Sequence, residues 1–386
     1  MTAGRPSSSG VNPEPADWEA WAAARLPTSV NHLDNAAAGR SSIATLDATS
    51  AHARREATEG AYVAAAGAAS TLAALRENVA ALLGVDTDGV AFTESAESAL
   101  DIALRAWPLA PGTAVAVAPS EWGPNLRAFR LAGLHTQVVP VGGDGTIDVA
   151  ALSNILRTAP PGLVHVTQQA SHRAVRQPVV EIASLCRDTG IPLWVDAAQA
   201  VGHCATNTGA DLVYATSRKW LTGPRGIGML GIGDRWIPSL RIEPKPMLGD
   251  APLLRYIESD EAHVAGRIGL ANAVDEYLAA GPELVAARLD DVGRMTRTAL
   301  GYLADWEVVD PVDAPGAITA IRPTAGQDVV AVRGRLLHDH AIVTTASGIT
   351  RAPLDMNEPW LRVSPHVDVT PERIDALCAA LVEASR

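Results

Sequence analysis

Two lysines, Lys219 and Lys245, stand among 31 basic side chains, and the rest are arginines. An arginine guanidinium keeps its proton in proteins, whereas a lysine amine can become neutral and condense with an aldehyde. A genome-wide preference for arginine would also thin out lysines, so the surroundings must decide. Lys219 lies in Ala215-Thr216-Ser217-Arg218-Lys219-Trp220-Leu221-Thr222-Gly223-Pro224-Arg225-Gly226-Ile227-Gly228, and Asp196 stands 23 positions upstream in Leu193-Trp194-Val195-Asp196-Ala197-Ala198-Gln199. Asp196 has two readings: a turn former or helix cap, or a carboxylate facing a protonated ring nitrogen. In the second, the small pair Ala197-Ala198 would let a flat ring lie against the backbone, and Gln199 could donate to a ring oxygen.

Such groups need a rigid frame, and the chain encodes one. Short apolar runs at 90–93, 114–117, 136–141, 163–167, 192–196 and 212–215 alternate with helical stretches at 96–107, 124–131, 149–156 and 180–189. That alternation predicts an α/β fold with a mostly parallel sheet covered on both faces, its ligands at the carboxyl ends of the strands. Asp196 falls at such an end. An alanine-rich helical region at 41–83 and a short amphipathic helix at 16–26 precede the sheet. Beyond Pro244-Lys245-Pro246 the pattern becomes helical at 270–303, then mixed, and predicts a smaller α+β domain. The expected division is a loose tail and short helix over 1–30, a large domain over 31–245 and a small one over 246–386.

Composition limits the function classes. A formal charge of −12 and a pI near 5.3 argue against a nucleic-acid partner. No run reaches the roughly 18 apolar residues of a membrane span, and residues 1–15 lack the apolar core of a signal peptide. Cys186, Cys204 and Cys378 are scattered without metal-ligand spacing, which suits a reducing cytoplasm and no metal. Nine tryptophans beside two phenylalanines allow an aromatic wall for a flat or cationic ligand.

Together the Asp196 and Lys219 segments and Leu33-Asp34-Asn35-Ala36-Ala37 resemble the class V aminotransferases, pyridoxal-phosphate enzymes of fold type I. The resemblance covers roughly residues 30–380 and implies a homodimer. It implies that Lys219 holds pyridoxal 5'-phosphate as a Schiff base, that Asp196 pairs with the pyridine nitrogen and that Gln199 meets the phenolic oxygen. Ser95 and the Ala96 amide, at a helix start that favours anions, would hold the phosphate with Thr216 and Arg218. Glu97 departs from the family pattern, standing where a threonine is common. Trp122 matches the aromatic that stacks on the ring and Ser171 a ring-contacting position. Asn35, His172 and Arg362 fall at substrate positions, Arg362 as the fork for a carboxylate. Arg267 stands where relatives present a group to the neighbouring subunit's phosphate.

The family spans desulfuration, transamination, elimination and epimerisation. Cysteine desulfurases carry a nucleophilic cysteine ahead of the carboxylate-binding arginine, and Thr344-Thr345-Ala346-Ser347-Gly348-Ile349-Thr350-Arg351 contains none. The likeness, including Thr167-Gln168-Gln169-Ala170-Ser171-His172-Arg173, runs furthest toward the C–S lyases that cleave a cysteine-conjugate sulfoxide in ergothioneine biosynthesis. It implies a small-molecule substrate and β-elimination. The alternatives are an aminotransferase acting on a small amino acid and a non-enzymatic dimer of the same fold.

Overall fold

The computed structural model describes residues 17–386, so the expected tail over 1–15 lies outside the described residues, as does Ala16. Its strands are β1 (Asn31–His32), β2 (Val90–Thr93), β3 (Ala114–Val117), β4 (His135–Val138), β5 (Leu163–Thr167), β6 (Leu193–Asp196), β7 (Leu212–Thr216), β8 (Gly228–Ile232), β9 (Trp306–Val308), β10 (Thr319–Pro323), β11 (Ile342–Val343), β12 (Thr345–Ser347) and β13 (Trp360–Val363). The helices are α1 (Trp18–Ala23), α2 (Ile43–Glu59), α3 (Ala61–Gly67), α4 (Ala69–Leu83), α5 (Ala96–Ala106), α6 (Gly123–Leu131), α7 (Val149–Thr158), α8 (Val179–Thr189), α9 (Val264–Ala280), α10 (Pro282–Leu300), α11 (Val329–His340) and α12 (Pro371–Ala384).

The main sheet has seven strands in the order β2-β8-β7-β6-β5-β3-β4. All neighbouring pairs from β7 to β4 are parallel, while β8 runs antiparallel to both β2 and β7. The alternating pattern did not reveal β8, whose two glycines, Gly228 and Gly231, weaken the apolar signal of a strand. Packing explains them: a Cβ on Gly228 would lie 2.4 Å from the Ser95 backbone, so only glycine lets β8 pass the start of α5.

Strands buried on both faces carry two cores. Val195, Val213 and Met229 face one apolar cluster; Trp194, Tyr214 and Leu230 face the other, with Trp107 and Leu100. Fully burying each large apolar side chain favours folding by about 1.5–3 kcal/mol. Most tryptophans are spent here: Trp107 packs at 5.1 Å from Trp194 and 4.9 Å from Trp236.

Beyond the sheet, α9 packs on α2 and α4. A second, antiparallel sheet, β12-β13-β10-β9, is accompanied by α10, α11 and α12. The two ends of the chain are stitched together, since β1 pairs with β11 and Asp34 bridges to Ser364. This stitch carries the Leu33–Ala37 segment across to Lys219.

Candidate active site

The strand order reverses between β3 and β5: β4 follows β3 outward, while β5, β6 and β7 extend the other way. A crevice opens outside the carboxyl ends at such a switch point. The segments after β3, β5 and β7 and the carboxyl end of β6 bring Trp122, Ser171, Lys219 and Asp196 to one cavity of ≈ 170 Å³. Register sets the floor: Thr167 pairs with Asp196, and Asp196 with Tyr214, so three polar side chains stand side by side across β5, β6 and β7.

Lys219 is half-buried in the cavity wall. Burial lowers its amine from 10.5 to about 7, against the pull of Asp196 and with help from Arg218, Arg362 and Arg351. A substantial fraction is therefore neutral near pH 7, the form that attacks a carbonyl or accepts a proton. Its backbone is pinned: the Asn35 amide donates to the Lys219 carbonyl at 3.2 Å, and so does the Thr222 N–H at 3.1 Å. Thr222 adopts φ 53°, a left-handed conformation unusual for a β-branched residue, and closes this turn.

Asp196 is oriented from two sides. Its Oδ1 accepts from the Ala198 N–H and its Oδ2 from Asn125 Nδ2, both at 2.9 Å. Asn125 also donates to Glu121 Oε1 at 2.9 Å, and Glu121 has no exposed surface. Glu121 further accepts from Thr167 at 2.6 Å and meets His165 Nδ1 at 2.9 Å; His165 Nε2 meets the Tyr214 hydroxyl at 3.0 Å. Burial alone would raise the Glu121 pKa, but His165 beside it, with hydrogen bonds from Thr167 and Asn125, holds it below the usual carboxylate value. Burial, then Asp196 and Glu121, pushes the Tyr214 phenol well up, so it stays protonated. Sequence reasoning assigned no role to Asn125, Glu121, His165 or Tyr214. The readable signal was Glu121 and Asn125 four apart, with a histidine and a tyrosine inside otherwise apolar strands.

The far end of the cavity suits an anion. Ser95 caps α5, accepting from the Ser98 N–H at 3.0 Å, and Ser95, Ala96, Thr216 and Arg218 line the wall. Arg218 has no carboxylate within ion-pair distance among the described residues, and burial lowers its pKa, reinforced by Arg225 and Arg362. Glu97 lines the wall too and is exposed. Gln199 accepts from the Trp220 indole at 2.8 Å and donates to the Ala36 carbonyl at 2.9 Å, which leaves one amide hydrogen for another acceptor. Trp122 alone among the tryptophans lines this cavity.

The remaining expected residues lie outside the cavity wall. Arg362 is fully buried, donating to Asp34 at 2.9 Å and to the Ser171 carbonyl at 2.7 Å; its Nε has no partner. His172 is buried against Trp360 and bonded to Asp355 at 2.7 Å. Burial lowers its pKa despite Asp355. Asn35 acts on the Lys219 backbone. Arg267 pairs with Glu258 at 2.6 Å over the Phe92 ring. No cysteine lines the cavity: Cys186 and Cys204 are buried, burial raising Cys186 to about 12 and Cys204 also upward. Cys378 lies on α12.

A lysine with a depressed pKa, an oriented carboxylate, an aromatic face and a helix-start cup with an unpaired arginine fit pyridoxal phosphate in charge and shape. No described helix is long and apolar enough to cross a membrane.

Comparison with known proteins agrees. A family model described as Aminotransferase class-V matches residues 31–377. A probable hercynylcysteine sulfoxide lyase from Mycobacterium tuberculosis is 44% identical over 381 residues, covering 98% of this chain and 96% of the relative. A cysteine desulfurase from Dickeya dadantii is 27% identical, covering 74% of this chain and 75% of its own. Among solved structures, the cysteine desulfurase CsdA from Escherichia coli superposes with TM-score 0.82 at 19% identity, covering 95% of this chain and 98% of that one. A cystine C–S lyase in complex with cysteine persulfide gives 0.81 at 17% identity, covering 92% and 98%. The chain has the fold type I architecture of these structures and belongs to the class V aminotransferase family.

Proposed function

We propose that this chain is a pyridoxal-phosphate C–S lyase that cleaves hercynylcysteine sulfoxide by β-elimination. The observation that carries the reading is the near-full-length likeness to the Mycobacterium tuberculosis relative. A cavity with Lys219 and Asp196 but without a cysteine supports it, because a persulfide-forming desulfurase needs a thiol there.

When bound, pyridoxal phosphate supplies an electron-withdrawing ring that stabilises negative charge at the substrate Cα. Ser95, the Ala96 amide, Thr216 and Arg218 would hold its phosphate, Trp122 would cover the ring and Gln199 would donate to the ring oxygen. Asp196 would keep a proton on the ring nitrogen, steadied by Asn125 and the Glu121–His165–Tyr214 chain behind it. Ser171, on the cavity wall, would contact the ring, and Arg362 would offer its unused Nε–H to the substrate carboxylate. Lys219 Nζ, in its neutral form, would take the substrate's Cα proton as general base. The Cβ–S bond then breaks, and sulfur leaves with the electron pair, taking up a proton to become a sulfenic acid. The three-carbon remainder, 2-aminoacrylate, hydrolyses to pyruvate and ammonia. A thiol reductant in solution converts the sulfenic acid to ergothioneine.

The reading includes a cytoplasmic homodimer, with Arg267 directed at the partner's phosphate, His172 and Asn35 near the substrate, and a boundary between large and small domains near residue 245. The test is product analysis with the sulfoxide and the cofactor-loaded enzyme. Stoichiometric pyruvate is expected; no pyruvate, or amino transfer that needs a keto acid, would replace the lyase with an aminotransferase.

A further inference from the structure

Arg351 has no role in the chemistry above, yet it stands over the aromatic wall. It ends a one-turn 3-10 helix, Ile349–Arg351, between β12 and β13. That turn is fastened to the start of α6, where a Cβ on Gly123 would come 2.0 Å from the Thr350 carbonyl oxygen. The Arg351 guanidinium lies over the Trp122 ring, 5.1 Å from its centroid. Its Nε is buried without a partner. The acids of neighbouring segments are engaged elsewhere: Asp355 by His172 and Arg173, Asp34 by Arg362 and Thr345. The Arg351 charge is felt at Lys219, where it helps depress the amine.

Stacking on an indole answers the face of a guanidinium but leaves its in-plane donors unused. Arg351 is half-buried, and its buried Nε–H stays unsatisfied unless an acceptor joins it. Arg362 already serves one carboxylate, and Arg218 faces the phosphate cup, so a third anion is called for.

We propose that Arg351 is a specificity-determining residue that binds a carboxylate on the fragment leaving with sulfur. This rests on the C–S lyase reading for the nature of that fragment. Hercynylcysteine joins cysteine to the betaine of histidine, so its leaving fragment carries a carboxylate separate from that of the cysteine half. A planar fork suits that group, and a neutral or cationic leaving fragment would leave it unanswered.

The test compares the sulfoxide substrate with its analogue in which the betaine carboxylate is a carboxamide. Binding to the holoenzyme is measured by calorimetry and KM by pyruvate release. The acid should bind about tenfold or more tightly than the amide, the scale of a charged hydrogen bond. Arg351→Ala should abolish that preference, and Arg351→Lys should restore part of it. Arg362→Lys should weaken both ligands and keep the preference. An unmutated enzyme that does not distinguish acid from amide overturns the proposal even if no variant folds. A preference that survives Arg351→Ala overturns it as well. Absence of pyruvate alone would remove the lyase reading, while calorimetry would still decide the role of Arg351.

Discussion

Asn125 Nδ2 lies 2.9 Å from both Asp196 Oδ2 and Glu121 Oε1, so one amide bridges two buried carboxylates. The two acids would otherwise repel at close range in a medium of low polarity. Asn125→Ala should cost about 1–3 kcal/mol, the penalty for leaving buried acceptors unsatisfied. Glu121→Gln should cost a similar amount, because it puts an amide where the carboxylate accepts from Thr167 and Asn125 and meets His165. Denaturant unfolding of the apo-protein measures both, and unchanged midpoints would mean that the bridge is slack.

Lys219→Ala should abolish borohydride-fixed cofactor mass and pyruvate formation. Its thermal midpoint should equal or exceed that of the parent, since an amine that resists protonation is removed. Fixation that persisted in the variant would point to Lys245, which is held by the Glu258 carbonyl at 2.7 Å and by Asp260 at 3.3 Å.

The rate at which apo-protein captures the cofactor should rise with pH and level off above about 7, where the Lys219 amine is already neutral. A lysine of ordinary pKa would keep gaining rate toward 10.5. The sign for stability follows from proton counts. Between about 7 and 10.5 the unfolded lysine binds a proton that the folded one does not, so this group's contribution to apo-protein stability improves as pH rises through that window. Stopped-flow capture at several pH values tests the first point, and pH-dependent unfolding of the parent against Lys219→Ala tests the second.

Arg362→Ala should do more than raise KM. The side chain is fully buried and paired with Asp34, so its loss strands a carboxylate and should cost about 3–5 kcal/mol. The double variant Arg362→Ala with Asp34→Asn should recover much of that stability while KM stays high. Recovery of both would assign Arg362 a structural role only.

The strands and helices that frame the site were legible because their periodicity is local. Lys219 and Asp196 were legible because their neighbours match a family. The chain behind Asp196 was hidden, since His165 and Tyr214 sit on strands whose register brings residues far apart in sequence together. Glu121 was in view beside Trp122, but sequence cannot reveal that it meets His165. Nine tryptophans suggested an aromatic-lined pocket, whereas most serve the cores and Trp122 alone reaches the wall. Composition counts residue types and is blind to direction. Arg351 escaped notice for a related reason: among so many arginines, an unanswered one is recognisable only by what surrounds it.

A sulfenic acid is an electrophile that couples to whatever thiolate it meets. The cavity wall offers it no sulfur, and burial keeps the Cys186 and Cys204 thiols protonated. If the proposed lyase reaction releases a sulfenic acid, turnover should leave Cys186 and Cys204 free of mixed disulfides, and Cys378 on α12, half-buried and away from the cavity wall, is the thiol to examine.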